Sequence, residues 1–109
     1  MHRLRLFLAL LMLNPAHLRY LYRIRRSGLF DRQFYRTTNP RVHWLFLLFP
    51  ERHYILMGEA AGLFPNPEFS PLAYLRHNPD VADEGVRPFE HYVLGGRHEA
   101  RLTREPNTD

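Results

Sequence analysis

A pattern of residues recurs about 39 positions apart, and this internal repeat constrains the fold more than any other feature of the chain. The stretch FDRQFYRTTNPRV (30–42) aligns with FSPLAYLRHNPDV (69–81) at an offset of 39, and PERHYILMG (50–58) aligns with PFEHYVLGG (88–96) at an offset of 38. Average composition would give roughly two or three identities by chance. The two alignments contain nine, in the same order: Phe30/Phe69, Tyr35/Tyr74, Asn39/Asn78, Pro40/Pro79, Val42/Val81, Pro50/Pro88, His53/His91, Tyr54/Tyr92 and Gly58/Gly96. The sequence therefore predicts two tandem units of one small architecture.

The first block of each unit predicts a short helix that begins at a capping residue. Asp31 and Ser70 are good N-cap residues, and Pro71 suits the first helical position of the second copy. An aromatic residue stands before each cap and another at the fourth helical position, as in a hydrophobic staple: Phe30 with Tyr35, and Phe69 with Tyr74.

A turn and a second helix complete each unit. Proline disfavours helical geometry in the residue before it, so the chain should turn at Asn39-Pro40 and at Asn78-Pro79. A second helix should then start at Pro50 or Pro88 and end at Gly58 or at Gly95-Gly96. We predict a mostly α, small single domain of short helices, in which two tandem helix–turn–helix units follow an N-terminal basic amphipathic helix. The predicted boundaries are an arm at 1–28, units at 29–65 and 66–106, and a tail at 107–109.

The basic charge of the chain is concentrated in its first 30 residues. They contain six arginines and no acidic residue, whereas residues 31–109 contain nine arginines and eleven acidic residues. The start MHRLRLFLALLML looks like a signal peptide, but no small-residue cleavage site follows it. The apolar run from Leu6 to Leu13 is also too short to span a bilayer. A mature helix is therefore favoured over a signal or an anchor.

Asn14-Pro15 predicts the start of a second N-terminal helix, which should run to about Arg26 and stop at Ser27-Gly28. One face of this helix carries His17, Tyr20, Leu21 and Ile24, and a stripe on the other carries Arg19, Arg23 and Arg26. A solvated face and a face that rests on anionic lipid headgroups give the same pattern, so both interpretations stay open.

The stretch SGLFDRQFY with its NP, and then PNPEFSPLAYLRHNPDVADEGVRPFEHYVLGGRHEAR, resembles a bacterial repeat with the pattern FDxxYYLxxNPDVAxAGxxPLxHYLxxGxxEGRxP. Such repeats accompany glycosyltransferases and rhamnan-synthesis-type proteins of surface polysaccharide loci, and similar units occur in some large secreted proteins. The resemblance covers about residues 27–106 and is most specific in the second copy, where NPDVA and HY…G match. It implies a pathway context and carries over no catalytic residue.

The chain departs from this pattern in two places. In the first copy an apolar run at residues 43–49 replaces the acidic turn that contains glycine. In the second copy the EGR tail reads Glu99-Ala100-Arg101. The chain is also too short to hold a nucleotide-sugar fold in addition to these units, so the resemblance brings no glycosyltransferase activity with it.

The acidic residues of the second copy do not form a recognisable metal site. Asp80, Asp83 and Glu84 lack the ligand series of a calcium-binding EF-hand loop. Asp80 is instead expected near a helix start, where a negative charge is favourable.

The histidines and serines also favour a structural role. Because His53 and His91 recur at the same place in each copy, each is expected to be a packed, hydrogen-bonded helix residue and not a metal ligand. Ser27 and Ser70 lie at helix boundaries outside any nucleophile motif. The absence of Cys excludes thiolate zinc sites and cysteine nucleophiles. We predict no catalytic residue, cofactor or metal, and a protein that is not an enzyme.

The run from Trp44 to Phe49 is the main anomaly of the first copy. It is either a buried helix that enlarges the core or an exposed apolar patch that docks a partner or a membrane surface. In the second case Trp44, Phe46 and Phe49 are candidate contacts, together with Arg19, Arg23 and Arg26.

The leading hypothesis is a non-catalytic scaffold of bacterial surface polysaccharide biosynthesis that recruits a glycosyltransferase or another protein of the pathway. It is expected in the cytoplasm, with peripheral contact to the anionic inner membrane as an option. The alternatives are a small nucleic-acid-binding protein, suggested by the isoelectric point of about 10.0, and a secreted repeat protein. The nucleic-acid interpretation is disfavoured because the repeat body is slightly acidic.

Overall fold

The fold was analysed in a computed structural model, which describes residues 2–12 and 14–106. The predicted tail at 107–109 lies outside the described residues. Eight α-helices occupy the described ranges, with a π-helix, Tyr54–Gly58, that continues α5 and a 3-10 turn, Gly96–His98, that follows α8. The helices are α1 His2–Leu11, α2 Pro15–Ser27, α3 Arg32–Thr38, α4 Trp44–Leu47, α5 Pro50–His53, α6 Pro71–His77, α7 Pro79–Glu84 and α8 Pro88–Leu94.

The predicted fold class is confirmed, because the described residues form a mostly α domain without a β-strand. Its single core is rich in aromatic side chains from α2 and from both repeat units. The largest fully buried side chains are four tyrosines and two phenylalanines: Tyr20, Tyr35, Tyr54, Tyr74, Phe69 and Phe89.

Helix α2 begins and ends where the sequence predicts. The Asn14 side chain accepts a hydrogen bond of 2.8 Å from the backbone N–H of His17, and Pro15 occupies the first helical position. Gly28 ends the helix with a φ of 69°, a left-handed conformation that suits glycine. Tyr20, Leu21 and Ile24 are buried in the common core, so α2 is an integral part of the domain.

The residues matched by the repeat make matching contacts. The hydroxyl of Tyr35 forms a 2.7 Å hydrogen bond with Nδ1 of His53, and the hydroxyl of Tyr74 forms one of 2.8 Å with Nδ1 of His91. The prediction that both histidines are packed and hydrogen-bonded is therefore confirmed.

The predicted caps and staples are also present in both copies. Asp31 and Ser70 accept hydrogen bonds from backbone N–H groups three residues later. The staple rings lie with their centroids 5.2 Å apart for Phe30 and Tyr35, and 5.0 Å apart for Phe69 and Tyr74. Asn39 and Asn78 each donate from their side-chain amide to the carbonyl of the tyrosine four residues earlier.

The repeated glycines have a different role from the predicted one. A Cβ at Gly58 would lie 2.1 Å from the Tyr35 hydroxyl oxygen, and one at Gly96 would lie 2.1 Å from that of Tyr74. Gly58 is the last residue of the π-helix, and Gly96 follows the end of α8. Glycine recurs because the tyrosine that bonds to histidine occupies the space of a side chain.

The prediction of a plain turn between the two helices of each unit is wrong. Helix α4 occupies that position in the first copy and α7 occupies it in the second. In α7, Pro79 stands at the first helical position, Asp80 lies in the first turn, and Gly85 ends the helix with a φ of 68°. The proline that stops one helix therefore starts the next.

Each unit is closed by a backbone hydrogen bond that the sequence did not predict. The N–H of the cap residue Asp31 donates to the carbonyl of Pro65 at 2.9 Å, and that of Ser70 donates to Thr103 at 2.7 Å. The chain approaches both carbonyls through a residue with positive φ, which is Gly62 at 84° in the first unit and Ala100 at 54° in the second. Ala100 stands where the bacterial repeat pattern has the glycine of EGR.

Replacing Ala100 with glycine should stabilise the protein. Left-handed geometry is unfavourable for a side chain with a Cβ, and the gain should exceed the entropic disadvantage of glycine by about 0.5–1 kcal/mol. Urea unfolding followed by circular dichroism measures the change. The matched control is Ala82→Gly at an exposed position within α7, which should destabilise by a similar amount. Equal destabilisation by both substitutions would contradict the left-handed geometry at Ala100.

Replacing Gly96 with alanine should destabilise the protein by about 1–3 kcal/mol, because the new methyl group would overlap the Tyr74 hydroxyl. In a Tyr74→Phe background the same substitution should be much less harmful, since the overlapping oxygen is gone. A double-mutant cycle by urea unfolding measures this coupling. Additive effects of the two substitutions would show that the hydroxyl is not what excludes a side chain at position 96.

Candidate interaction surface

Helix α2 places the predicted arginine stripe in two different environments. Arg19 and Arg26 are exposed, and neither forms an ion pair with a described carboxylate. Arg23 lies over α8, where its guanidinium donates to the Glu90 carboxylate at 2.7 Å. Arg23 thus links two helices of the fold, whereas the charges of Arg19 and Arg26 face solvent.

The apolar run at 44–49 is divided between the core and the surface. Phe46 is only 7% exposed, and its ring stacks against His53 with the centroids 5.9 Å apart. Phe49 is half-buried against Phe7 of α1, with ring centroids 6.2 Å apart. Trp44 is 65% exposed and Leu48 is 50% exposed. Both alternatives for this run therefore hold in part, and Trp44 and Leu48 are its accessible members.

Helix α1 adds a further exposed apolar strip beside this run. Leu4, Leu8 and Leu11 are exposed and recur at the spacing of one helix face. Phe7, on another face, contacts Phe49, so α1 packs on the segment that carries Trp44. Eight of the twelve large apolar side chains that are exposed in the described residues belong to residues 4–48: Leu4, Leu8, Leu11, Met12, Leu18, Tyr22, Trp44 and Leu48. We call these eight residues and the exposed arginines of α1 and α2 the N-terminal surface.

In the described part of the chain, no helix has the length and apolar character needed to cross a membrane.

A buried polar network joins α2 to both repeat units beneath this surface. Glu59 is 5% exposed and follows directly after the π-helix. Its Oε2 accepts hydrogen bonds from the Tyr20 hydroxyl at 2.8 Å, the Tyr54 hydroxyl at 3.3 Å and the backbone N–H of Phe89 at 2.9 Å. Its Oε1 accepts one from Arg87 at 3.1 Å. The carboxylate therefore supplies the cap of α8 that no side chain of α8's own N-cap residue provides.

Arg87 extends the network towards the surface. Its guanidinium donates to the carbonyl of Ile55 at 2.8 Å, and its Nη2 lies 3.2 Å from Nε2 of His17. It also lies 5.4 Å from the centroid of the Tyr20 ring, within the range of a cation–π contact. Arg87 thus holds the first turn of α2 against the second unit.

The network shifts the pKa values of its members away from the charged forms. Burial raises the pKa of Glu59, and the hydrogen bonds from Phe89, Tyr20 and Arg87 oppose this shift. Burial, followed by the nearby Glu59 charge, raises the pKa of Tyr20. Burial and the Arg87 charge lower the pKa of His17. These groups neutralise and satisfy one another, which is the arrangement of a structural network and not of a site open to substrate.

The acidic cluster of the second copy also serves the fold. Asp80 receives two hydrogen bonds of 3.0 Å from the Arg101 guanidinium, which also contacts Glu99 and the side-chain oxygen of Asn78. The Arg101 hydrogen bond lowers the pKa of Asp80. The last segment of the second unit is thereby tied to α7. The described residues contain no group of three or more metal-ligating side chains in a suitable arrangement.

Replacing Glu59 with alanine should destabilise the protein by about 2–4 kcal/mol, because Arg87 and the buried N–H of Phe89 lose their acceptor. Urea unfolding at neutral pH measures the effect. Glu90→Ala is the matched control, since Glu90 also pairs with an arginine but is more accessible, and it should cost no more than about 1 kcal/mol. Similar values for the two variants would contradict a central role for Glu59.

Comparisons of the chain with protein-family models, with curated proteins and with solved structures found no match. The resemblance of residues 27–106 to the bacterial repeat therefore stays a prediction, and the function is argued from the residues of this chain.

Proposed function

We propose that the protein is a non-catalytic docking module that rests on an anionic membrane face and holds a partner protein there. The observation that carries the proposal is the N-terminal surface, where accessible leucines and a tryptophan occur together with arginines. The sequence resemblance supplies the context, a scaffold for a glycosyltransferase in bacterial surface polysaccharide biosynthesis.

The apolar part of this surface suits the boundary between headgroups and acyl chains. Trp44 is the single tryptophan of the chain, and tryptophan favours this boundary because its ring is apolar and its N–H is polar. The exposed leucines of α1 form a strip that can lie in the plane of the interface. Burying these side chains in lipid would remove apolar area from water, which is favourable.

The charge of the surface has the matching sign. Residues 1–30 contain no acidic residue, and Arg3, Arg5, Arg19 and Arg26 are exposed. Each arginine close to an anionic leaflet contributes about 1 kcal/mol of attraction. Apolar contact and charge therefore act together, as they do in proteins that bind a membrane surface without crossing it.

The interior supports a scaffold and not an enzyme. The buried ionisable groups of the described residues bond to one another, with Glu59 accepting four hydrogen bonds. No buried side-chain nitrogen or oxygen among them lacks a hydrogen-bond partner. Such a site has no group poised for proton transfer or nucleophilic attack.

The proposal predicts that the full chain binds vesicles containing phosphatidylglycerol and that the Trp44 fluorescence shifts to shorter wavelength on binding. Leu8→Asn should weaken binding by several-fold, because it removes an accessible leucine from the N-terminal surface. Leu72→Asn is the matched control, since Leu72 is similarly exposed but lies on α6. Flotation with the vesicles measures binding. An unchanged Trp44 spectrum, or equal effects of the two substitutions, would sink the membrane assignment.

The partner is tested in the same system with a photo-crosslinking residue in place of Leu48. The expected product joins the chain to a glycosyltransferase or to another enzyme of polysaccharide synthesis. Recovery of nucleic acid instead, with affinity that falls steeply as salt rises, would favour the nucleic-acid alternative.

A further inference from the structure

A groove beside the N-terminal surface brings together three arginines from two helices. Its volume is about 530 Å³, and it is lined by Leu18, Leu21, Tyr22, Arg25, Arg26 and Arg52. The first five belong to α2 and Arg52 belongs to α5, so the cluster is produced by helix packing as well as by neighbours in sequence. A concave surface with several convergent guanidinium groups is suited to an anion.

The contacts of these arginines leave the groove positively charged. Arg25 lies 4.0 Å from the Glu51 carboxylate, whose shorter contact of 2.7 Å is with Arg32 outside the groove. Arg26 donates to the Tyr22 hydroxyl at 3.4 Å and to no described carboxylate. Arg52 donates to the carbonyl of Leu11 at the end of α1, at 3.3 Å. One shared acid thus faces three guanidinium groups.

The groove is also apolar along one side and adjoins exposed apolar residues. Leu18 is half-exposed and Tyr22 is 62% exposed, and the Arg52 contact places the groove next to the end of α1, where Leu11 and Met12 are exposed. An occupant should therefore carry a compact anion joined to an apolar body. Guanidinium groups match the planar, bidentate geometry of phosphate oxygens.

We infer that this groove binds the phosphate headgroup of an anionic lipid, with preference for a phosphomonoester over a phosphodiester. A phosphomonoester carries nearly two negative charges at neutral pH, against one for a diester, and so suits three arginines better. The inference rests on the proposed membrane function and specifies which headgroup the surface selects.

The test compares vesicles that contain phosphatidic acid with vesicles that contain phosphatidylglycerol, at matched surface potential. The full chain should bind the phosphatidic acid vesicles about fivefold more tightly, and Arg26→Gln should abolish this preference. Arg19→Gln is the matched control, because Arg19 is exposed on the same helix but does not line the groove, and it should weaken binding to both vesicles equally. Circular dichroism shows whether each variant remains folded.

Two outcomes separate this inference from the proposed function. Equal binding to both vesicles by the unchanged chain would overturn headgroup selection while leaving membrane docking intact. Binding to neither vesicle would overturn both.

Further arms of the experiment identify the source of the phosphate. Soluble glycerol 3-phosphate should displace the chain from phosphatidic acid vesicles only weakly, since it lacks the apolar body. Displacement at low concentration would assign the groove to a free phosphate and overturn the lipid. Tighter binding of an RNA oligonucleotide that is lost in Arg26→Gln would overturn it in favour of nucleic acid.

Discussion

The carboxylate of Glu59 is the contact on which the arrangement of the domain depends. It is buried, and its four hydrogen-bond donors come from α2, the π-helix and the start of the second unit's last helix. The N–H of Glu59 bonds to the carbonyl of Tyr54, five residues earlier, so the π-helix determines where the side chain points. A buried carboxylate without these donors would be strongly unfavourable, which makes the relative position of the three elements specific.

The sequence could predict the contacts within each unit because the units repeat. A tyrosine, a histidine and a glycine that recur together must satisfy the same geometry twice, and the Tyr74–His91–Gly96 cluster does match Tyr35–His53–Gly58. Their chemistry could not be predicted as completely. The glycines looked like helix terminators, because the tyrosine hydroxyl that lies over each of them comes from a helix about 20 residues away in sequence.

The contacts between the units could not be predicted from the repeat, because they use positions where the copies differ. Arg97 stands opposite Glu59 at the offset of 38, and Phe49 stands opposite Arg87. The exposure of the 44–49 run was undetermined for a related reason, since it depends on how α1 packs against Phe49. A charged residue that follows a buried helix and has no counterpart in the other copy was the available signal for Glu59.

These differences between the copies also account for where a partner surface can form. Residues that recur are constrained by the core of their own unit, as Tyr35 and Tyr74 are, and cannot change without loss of packing. Residues that do not recur are free of that constraint, and in the first copy they include exposed Trp44 and Leu48. The bulk of the first unit anchors α1 through Phe49, and α1 in turn adds its exposed leucines. Divergence of one copy within a retained scaffold is thus sufficient to create the N-terminal surface.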